Sequence, residues 1–199
     1  MSDAAAQIRS IVDGWAVWRD AGDWDRLRVA WHPDGRMRST WFRGPKDAFV
    51  DAARAAFEAG VVVHHFLGGS AIERVGDRAV AQTKMTISQR LTVHGVLVDV
   101  TCTGRFYDFF ERRDDVWGLV LRAPIYEKDR IDPVVPGEAP AIDTTLLASF
   151  PEGCRHLLYC QTLAGFDVHE DQPGLRGPAV ERLYASGAAW LGGAELPRD

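Results

Sequence analysis

Residues 58–73 read EAGVVVHHFLGGSAIE, and the sequence changes character at Gly60. Before it, Phe49, Val50, Ala53 and Phe57 recur at helical spacing within KDAFVDAARAAFEA, and Pro45 suits the first position of such a helix. After it the period becomes two. Val61, Val62 and Val63 run into His64 and His65, and β-branched runs favour a pleated strand. Neighbouring side chains on a strand point to opposite faces, so only one of these histidines can enter an apolar interior.

Working outward, strands are expected at 61–75, 79–92, 96–111 and 116–127. The turn signals VGDR, VHG and RRDD separate them. Upstream, Ile8, Ile11, Val12, Trp15 and Trp18 predict a helix over 4–19, broken at Gly22. Asp23 caps a short second helix carrying Leu27 and Trp31. HPDG reads as a turn, RMRSTWF as a first strand and RGP as another turn. Three helices, one strand among them and a four-strand meander make an α+β fold, because such a sheet buries its apolar face by curling around the helices. This core spans residues 1–130. From 131 to 199 a proline-rich arm leads to two short helices, PEGCRHLLYCQTLAG and GPAVERLYASGAAWLGG. Their apolar residues predict an extension packed on the core or on a partner subunit.

Composition narrows the function classes. The 199 residues are 46% hydrophobic, with a formal net charge of -5 and no basic run, which disfavours nucleic acid as a partner. No stretch approaches the roughly 20 apolar residues of a membrane span, and the N-terminus lacks an apolar signal core. Cys102, Cys154 and Cys160 show no metal-like spacing, so free thiols in a cytoplasmic setting are the simplest reading. Seven tryptophans, four of them (Trp15, Trp18, Trp24 and Trp31) within 17 residues, suggest an aromatic-walled core or cavity. Phosphate-loop, Cys-x-x-Cys, His-Glu-x-x-His and Gly-x-Ser-x-Gly signatures are all missing, and the histidines have no ligand spacing. The expectation is side-chain acid–base chemistry with no metal and no cofactor.

RDAGDWDRLRVAWHPDGRM, HFLGGSAIE, GDRAVAQTKMTI and GRFYDFFERRDDVWGLVLR, in that order, resemble the SnoaL-like branch of the nuclear transport factor 2-like superfamily. The resemblance covers residues 5–128. That branch includes scytalone dehydratase, bile-acid 7α-dehydratase and hexachlorocyclohexane dehydrochlorinase. It implies a cone-shaped α+β barrel, in which a curved antiparallel sheet wraps three N-terminal helices around a deep apolar pocket. It further implies that Asp20 orients His65 as a general base, with Arg122 nearby. Gly69 stands where relatives often carry Asn. The implied activity is a cofactor-independent lyase acting on a small apolar, aromatic or polycyclic molecule. Isomerisation, epoxide hydrolysis and formaldehyde-releasing retro-aldol cleavage are related outcomes on this fold. The nuclear transport factor itself is a binding module without catalysis.

Each candidate also has a plainer reading. A histidine in an apolar strand is more often a hydrogen-bonded core residue than a base. Asp23 and Asp25 compete with Asp20. Arg122 suits an ion pair with Asp108 or Glu127. Tyr126, on the same strand face as Arg122, either donates to a leaving-group oxygen or is structural. Trp15, Trp41, Phe66, Met85 and Phe106 are candidate substrate contacts that serve equally as core, and His64 faces outward or joins the substrate contacts. Of Thr83 and Lys84, only one can face inward. Either Phe109 or Phe110 must face outward, which predicts a homodimer or higher homo-oligomer formed sheet to sheet.

Overall fold

The computed structural model describes residues 4–196. Helix α1 (Ala4–Ala21) turns Ile8, Val12, Trp15, Ala16 and Arg19 inward at helical spacing. It ends at Gly22, whose φ of +74° is a left-handed conformation that glycine adopts without penalty. Asp23 then caps α2 (Trp24–Val29) by accepting from the Arg26 amide. The chain continues through β1 (Trp31–Arg38), β2 (Arg43–Pro45), α3 (Lys46–Glu58) and four long strands: β3 (Val62–Val75), β4 (Arg78–Val93), β5 (Val96–Arg113) and β6 (Val116–Pro133). Three helices follow, α4 (Thr144–Ser149), α5 (Arg155–Leu163) and α6 (Pro178–Leu191).

The six strands form one sheet ordered β2-β1-β6-β5-β4-β3, curved but unclosed. Its meander is antiparallel. The β4–β5 turn places His94 and Gly95 at φ +48° and +84°, and the β5–β6 turn places Asp114 and Asp115 at +48° and +62°. Both are two-residue hairpins whose positive φ values match the twist of the flanking strands. Register shifts between Leu67 and Ser70, between Thr103 and Gly104, and between Phe109 and Phe110 bend the sheet around the helices. At the second of these, a Cβ on Gly104 would lie 1.9 Å from the Ile125 carbonyl oxygen, so only glycine fits.

Three local readings are corrected. Trp31 is not in the second helix but opens β1, paired with Leu119. HPDG is not a free turn: it bulges within β1, between the paired positions Trp31 and Arg36. RGP is a strand, folded back on β1 through the turn at Ser39–Phe42. The sheet is also mixed, because β1 joins β6 in parallel. The whole meander intervenes between these two strands, which gives the chain the crossover that parallel pairing requires.

The sheet has a packed layer on each side. Its inner face encloses the main core with α1, α2 and α3, and α5 joins that core through Leu157, Leu158, Tyr159 and Cys160. Its outer face carries α6, whose Val180, Leu183 and Trp190 cover Tyr107, Phe109, Leu121 and Ile125. Phe109 is therefore the outward phenylalanine, yet it is fully buried by the chain's own helix. The apolar face that suggested a sheet-to-sheet dimer is already occupied. None of the described helices is long and apolar enough to cross a membrane.

Candidate active site

Alternation along β3 turns His65 inward and leaves His64 exposed. The end of α1 passes the start of β3, bringing Asp20 to His65. Asp20 Oδ1 lies 2.7 Å from His65 Nδ1, and Asp20 Oδ2 accepts from the His65 backbone N–H at 2.6 Å. A carboxylate can only accept, so Nδ1 carries the ring proton and Nε2 is the free basic nitrogen. Trp15 packs edge-on against the imidazole at 5.4 Å and Phe106 lies tilted at 6.1 Å. Asp23 and Asp25 do not share this role, since Asp23 caps α2 and Asp25 is exposed.

The electrostatics keep this histidine neutral. Burial lowers the His65 pKa below its ordinary 6.5; Asp20 opposes that shift, and the cations Arg19 and Arg122 add to it. The result is an unprotonated base at neutral pH, with a carboxylate placed to stabilise the imidazolium once a proton arrives.

His65 lines a cavity of about 60 Å³ between the sheet and the helices. Trp15, Trp41, Phe106 and Tyr126 line it too. Burial pushes the Tyr126 phenol far above its ordinary range, with Thr40 beside it only partly offsetting this, so the group is a neutral hydroxyl. An apolar cavity of about 150 Å³ accommodates benzene. A ring-sized ligand therefore enters only if the wall moves.

Other candidates lie elsewhere. Arg122 is fully buried and does not line the cavity; it forms a two-pronged pair with Asp108 at 2.7 Å per bond. The two residues are directly opposed across β5 and β6. The Arg122 guanidinium packs against both the Trp15 and Phe106 rings, 4.2 and 4.0 Å from their centroids, in the corner made by their edge-on contact. It acts on the site as a buried charge and a support for two aromatic walls. Met85 is buried in the core without lining the cavity. Phe66 and His64 are exposed on the outer face, because the alternation that carries His65 inward carries 64 and 66 outward. Of the next pair, Thr83 is buried and Lys84 exposed. Gly69 is exposed at the β3 bulge with open space around it.

Several lining residues escaped the sequence reading. Arg19 follows Trp15 by one helical turn, and that i, i+4 spacing was the available signal. Gln89 has the inward parity of β4. Leu157, Gln161 and Phe166 come from the C-terminal segment and roof the cavity, with Phe166 packed edge-on against Trp41 at 5.7 Å. The apolar character of the tail, Leu157 included, calls for it to cover the pocket mouth or a dimer interface, but nothing local marks Gln161 or Phe166. A second His–carboxylate pair was also missed: His156 Nδ1 lies 2.8 Å from Asp129 Oδ1, and Asp129 Oδ2 accepts from the Leu157 amide at 2.8 Å. It fastens the first turn of α5 to β6. The three cysteines are free and buried, and burial pushes the Cys154 and Cys160 thiols up to about 12.

Comparisons with known proteins agree with this architecture. AN9274 of Emericella nidulans is 36% identical over 96% of this chain and 87% of its own length. Pea pathogenicity protein 2 of Fusarium vanettenii is 33% identical over 96% of this chain and 86% of its own. Among solved structures, a type 2 hexachlorocyclohexane dehydrochlorinase (LinA) superposes with a TM-score of 0.55 at 17% identity. The match covers 70% of this chain and 95% of that one. A scytalone dehydratase candidate from Novosphingobium aromaticivorans gives a TM-score of 0.53 at 15% identity, covering 70% and 93%. At such identities these likenesses concern the fold. The SnoaL-like domain matches residues 1–123, more than half the sequence, and the chain belongs to that family.

Proposed function

We propose that this protein is a cofactor-independent lyase that eliminates water, or a comparable leaving group, from a small, largely apolar cyclic molecule. The Asp20–His65 pair, with Nε2 unprotonated beside an apolar cavity, carries this reading. Nε2 takes a proton from a carbon adjacent to the one bearing the leaving group. The C–H electron pair becomes the new C=C bond as the leaving group departs with its own bonding pair. His65 then returns the proton to a departing hydroxide, completing water, or to solvent if the leaving group is a halide. Asp20 holds the imidazolium throughout. Tyr126 supplies a neutral hydroxyl at the cavity wall for a leaving-group oxygen. The names of two proteins sharing the fold, a dehydrochlorinase and a scytalone dehydratase candidate, fit elimination.

A second reading, a ligand-binding module without turnover, draws support from the small open volume of the cavity. Both readings meet in one experiment. Wild-type and His65→Ala proteins are incubated with complex metabolite mixtures, followed by mass spectrometry. Elimination predicts a product lighter by the elements of water or a hydrogen halide, formed by the wild type alone. A product of unchanged mass points to isomerisation, one heavier by water to epoxide hydrolysis, and one lighter by formaldehyde to retro-aldol cleavage. Ligand retention without conversion overturns the enzymatic reading.

A further inference from the structure

Among the described residues, Arg19 is a buried cation that makes no side-chain hydrogen bond or ion pair. It lies on α1 one turn beyond Trp15, is only 4% exposed and lines the cavity beside His65. A guanidinium stays charged even where burial disfavours it. Buried cations normally face a carboxylate that accepts their hydrogen bonds. The nearest carboxylate here is Asp20, and both of its oxygens are committed to His65. Asp20 acts on Arg19 through its charge, without a hydrogen bond. The guanidinium also faces the Trp24 ring, whose centroid lies 5.8 Å from Cζ.

Two residues that line this cavity each bury a polar atom without a partner: Trp15 its indole nitrogen and Gln161 its amide oxygen. Trp15 and Arg19 are i, i+4 neighbours, so an indole N–H and a guanidinium stand on the same helix face. Such a donor pair inside an apolar chamber calls for an acceptor that the protein does not supply.

We propose that Arg19 anchors substrate, and that the cavity selects small cyclic molecules bearing a carboxylate. The planar fork of a guanidinium matches a carboxylate in two parallel hydrogen bonds, which gives orientation as well as attraction. Bound there, the acid group lies beside His65 and fixes which carbon meets Nε2. The wall movement that admits a ring also frees the buried Trp15 N–H to donate to the same acid group and the Gln161 oxygen to accept from a ring hydroxyl. The inference rests on the reading of this cavity as a small-molecule site and deepens it by naming the charge of the ligand.

The test compares benzoate with its neutral analogue benzamide, using the full chain and calorimetry at neutral pH and low salt. Wild type is expected to bind benzoate about 10-fold or more tightly than benzamide, the scale of one charge-assisted hydrogen bond. Arg19→Met should bind the two alike, and Arg19→Lys should keep part of the preference. Thermal unfolding gives an independent readout: replacing an unpaired buried charge by an apolar isostere should leave Arg19→Met as stable as wild type or more so. Equal affinity of wild type for both probes, binding of neither, a preference that survives in Arg19→Met, or a marked loss of stability in that variant would each overturn the assignment. Binding needs no turnover. A protein that prefers benzoate yet forms no product from the metabolite mixtures would sink the elimination reading and leave this one standing.

Discussion

Asp20 grips His65 at two points, accepting from the ring at 2.7 Å and from the backbone amide of the same residue at 2.6 Å. The carboxylate thereby sets the tautomer, the ring orientation and the docking of α1 on β3 at once. His65→Ala should lower turnover by about 100-fold to 10,000-fold, the range of a positioned acid–base group. Asp20→Asn should also be severe, since an amide holds the shape without the charge that favours the imidazolium. The double variant should be scarcely worse than the worse single one, because both residues serve one proton transfer. Single-turnover rates test this, and fully additive losses would separate the two residues.

The acid limb of activity should lie below pH 6.5, the ordinary value for histidine, because burial lowers the His65 pKa. In Asp20→Asn the limb should move further toward acid, since the influence that opposes burial has been removed. Stability follows with a definite sign. The unfolded chain takes up this proton near pH 6.5 and the native protein only at lower pH. The stabilising contribution is whole above 6.5 and is lost as pH falls toward the native value. Titration of the His65 ring resonances by NMR, beside denaturant unfolding at several pH values, measures both. An acid limb above 6.5 would contradict it.

Arg122 and Asp108 should be far more costly to separate than to remove together. Neither side chain is exposed to solvent. Arg122→Met strands a buried carboxylate and should cost about 3–5 kcal/mol. Adding Asp108→Leu should recover most of that loss, as paired apolar replacements of buried ion pairs often do. Urea unfolding of the two singles and the double gives the coupling directly.

Close contact between α6 and the outer sheet face makes Gly187 a sensitive position. A Cβ there would lie 1.9 Å from the Tyr107 hydroxyl oxygen. Gly187→Ala should destabilise by about 1–3 kcal/mol through overpacking. Tyr107→Phe in the same chain should recover part of it by deleting the clashing oxygen. An unchanged midpoint for Gly187→Ala would mean that α6 is not seated on the sheet in solution.

Removing the chain beyond Pro136 should expose Phe109 and Ile125 on the outer face and unroof the cavity at Leu157, Gln161 and Phe166. The shortened protein is expected to aggregate or to unfold at a lower temperature, read by light scattering and calorimetry. Unchanged solubility and stability would show that the C-terminal helices contribute little to the fold.

Local pattern carried much of this protein. The switch from period 3.6 to period 2 at Gly60 is a property of neighbouring residues, and it suffices to place α3 and β3 and to turn one of His64 and His65 inward; the resemblance chose His65. Alternation likewise turns His64 and Phe66 outward, so including Phe66 among the cavity residues ran against the sequence's own parity. Dipeptides with positive φ, such as His94-Gly95, announce hairpins for the same local reason. The Asp20–His65 pair was legible through resemblance, since no local rule joins residues 45 positions apart. Tertiary structure alone decided the rest. Parallel pairing of β1 with β6 depends on where the returning chain meets an open edge. Asp108 rather than Glu127 became the partner of Arg122 because β5–β6 register opposes those two residues. Apolar stripes on α5 and α6 required burial but named no surface, and the curvature of the sheet assigned one helix to the inner core and the other to the outer face. Arg19 became a buried cation facing a cavity only when β3 engaged both oxygens of its neighbour Asp20, because a charge is stranded by what surrounds it in space rather than by what adjoins it in the chain.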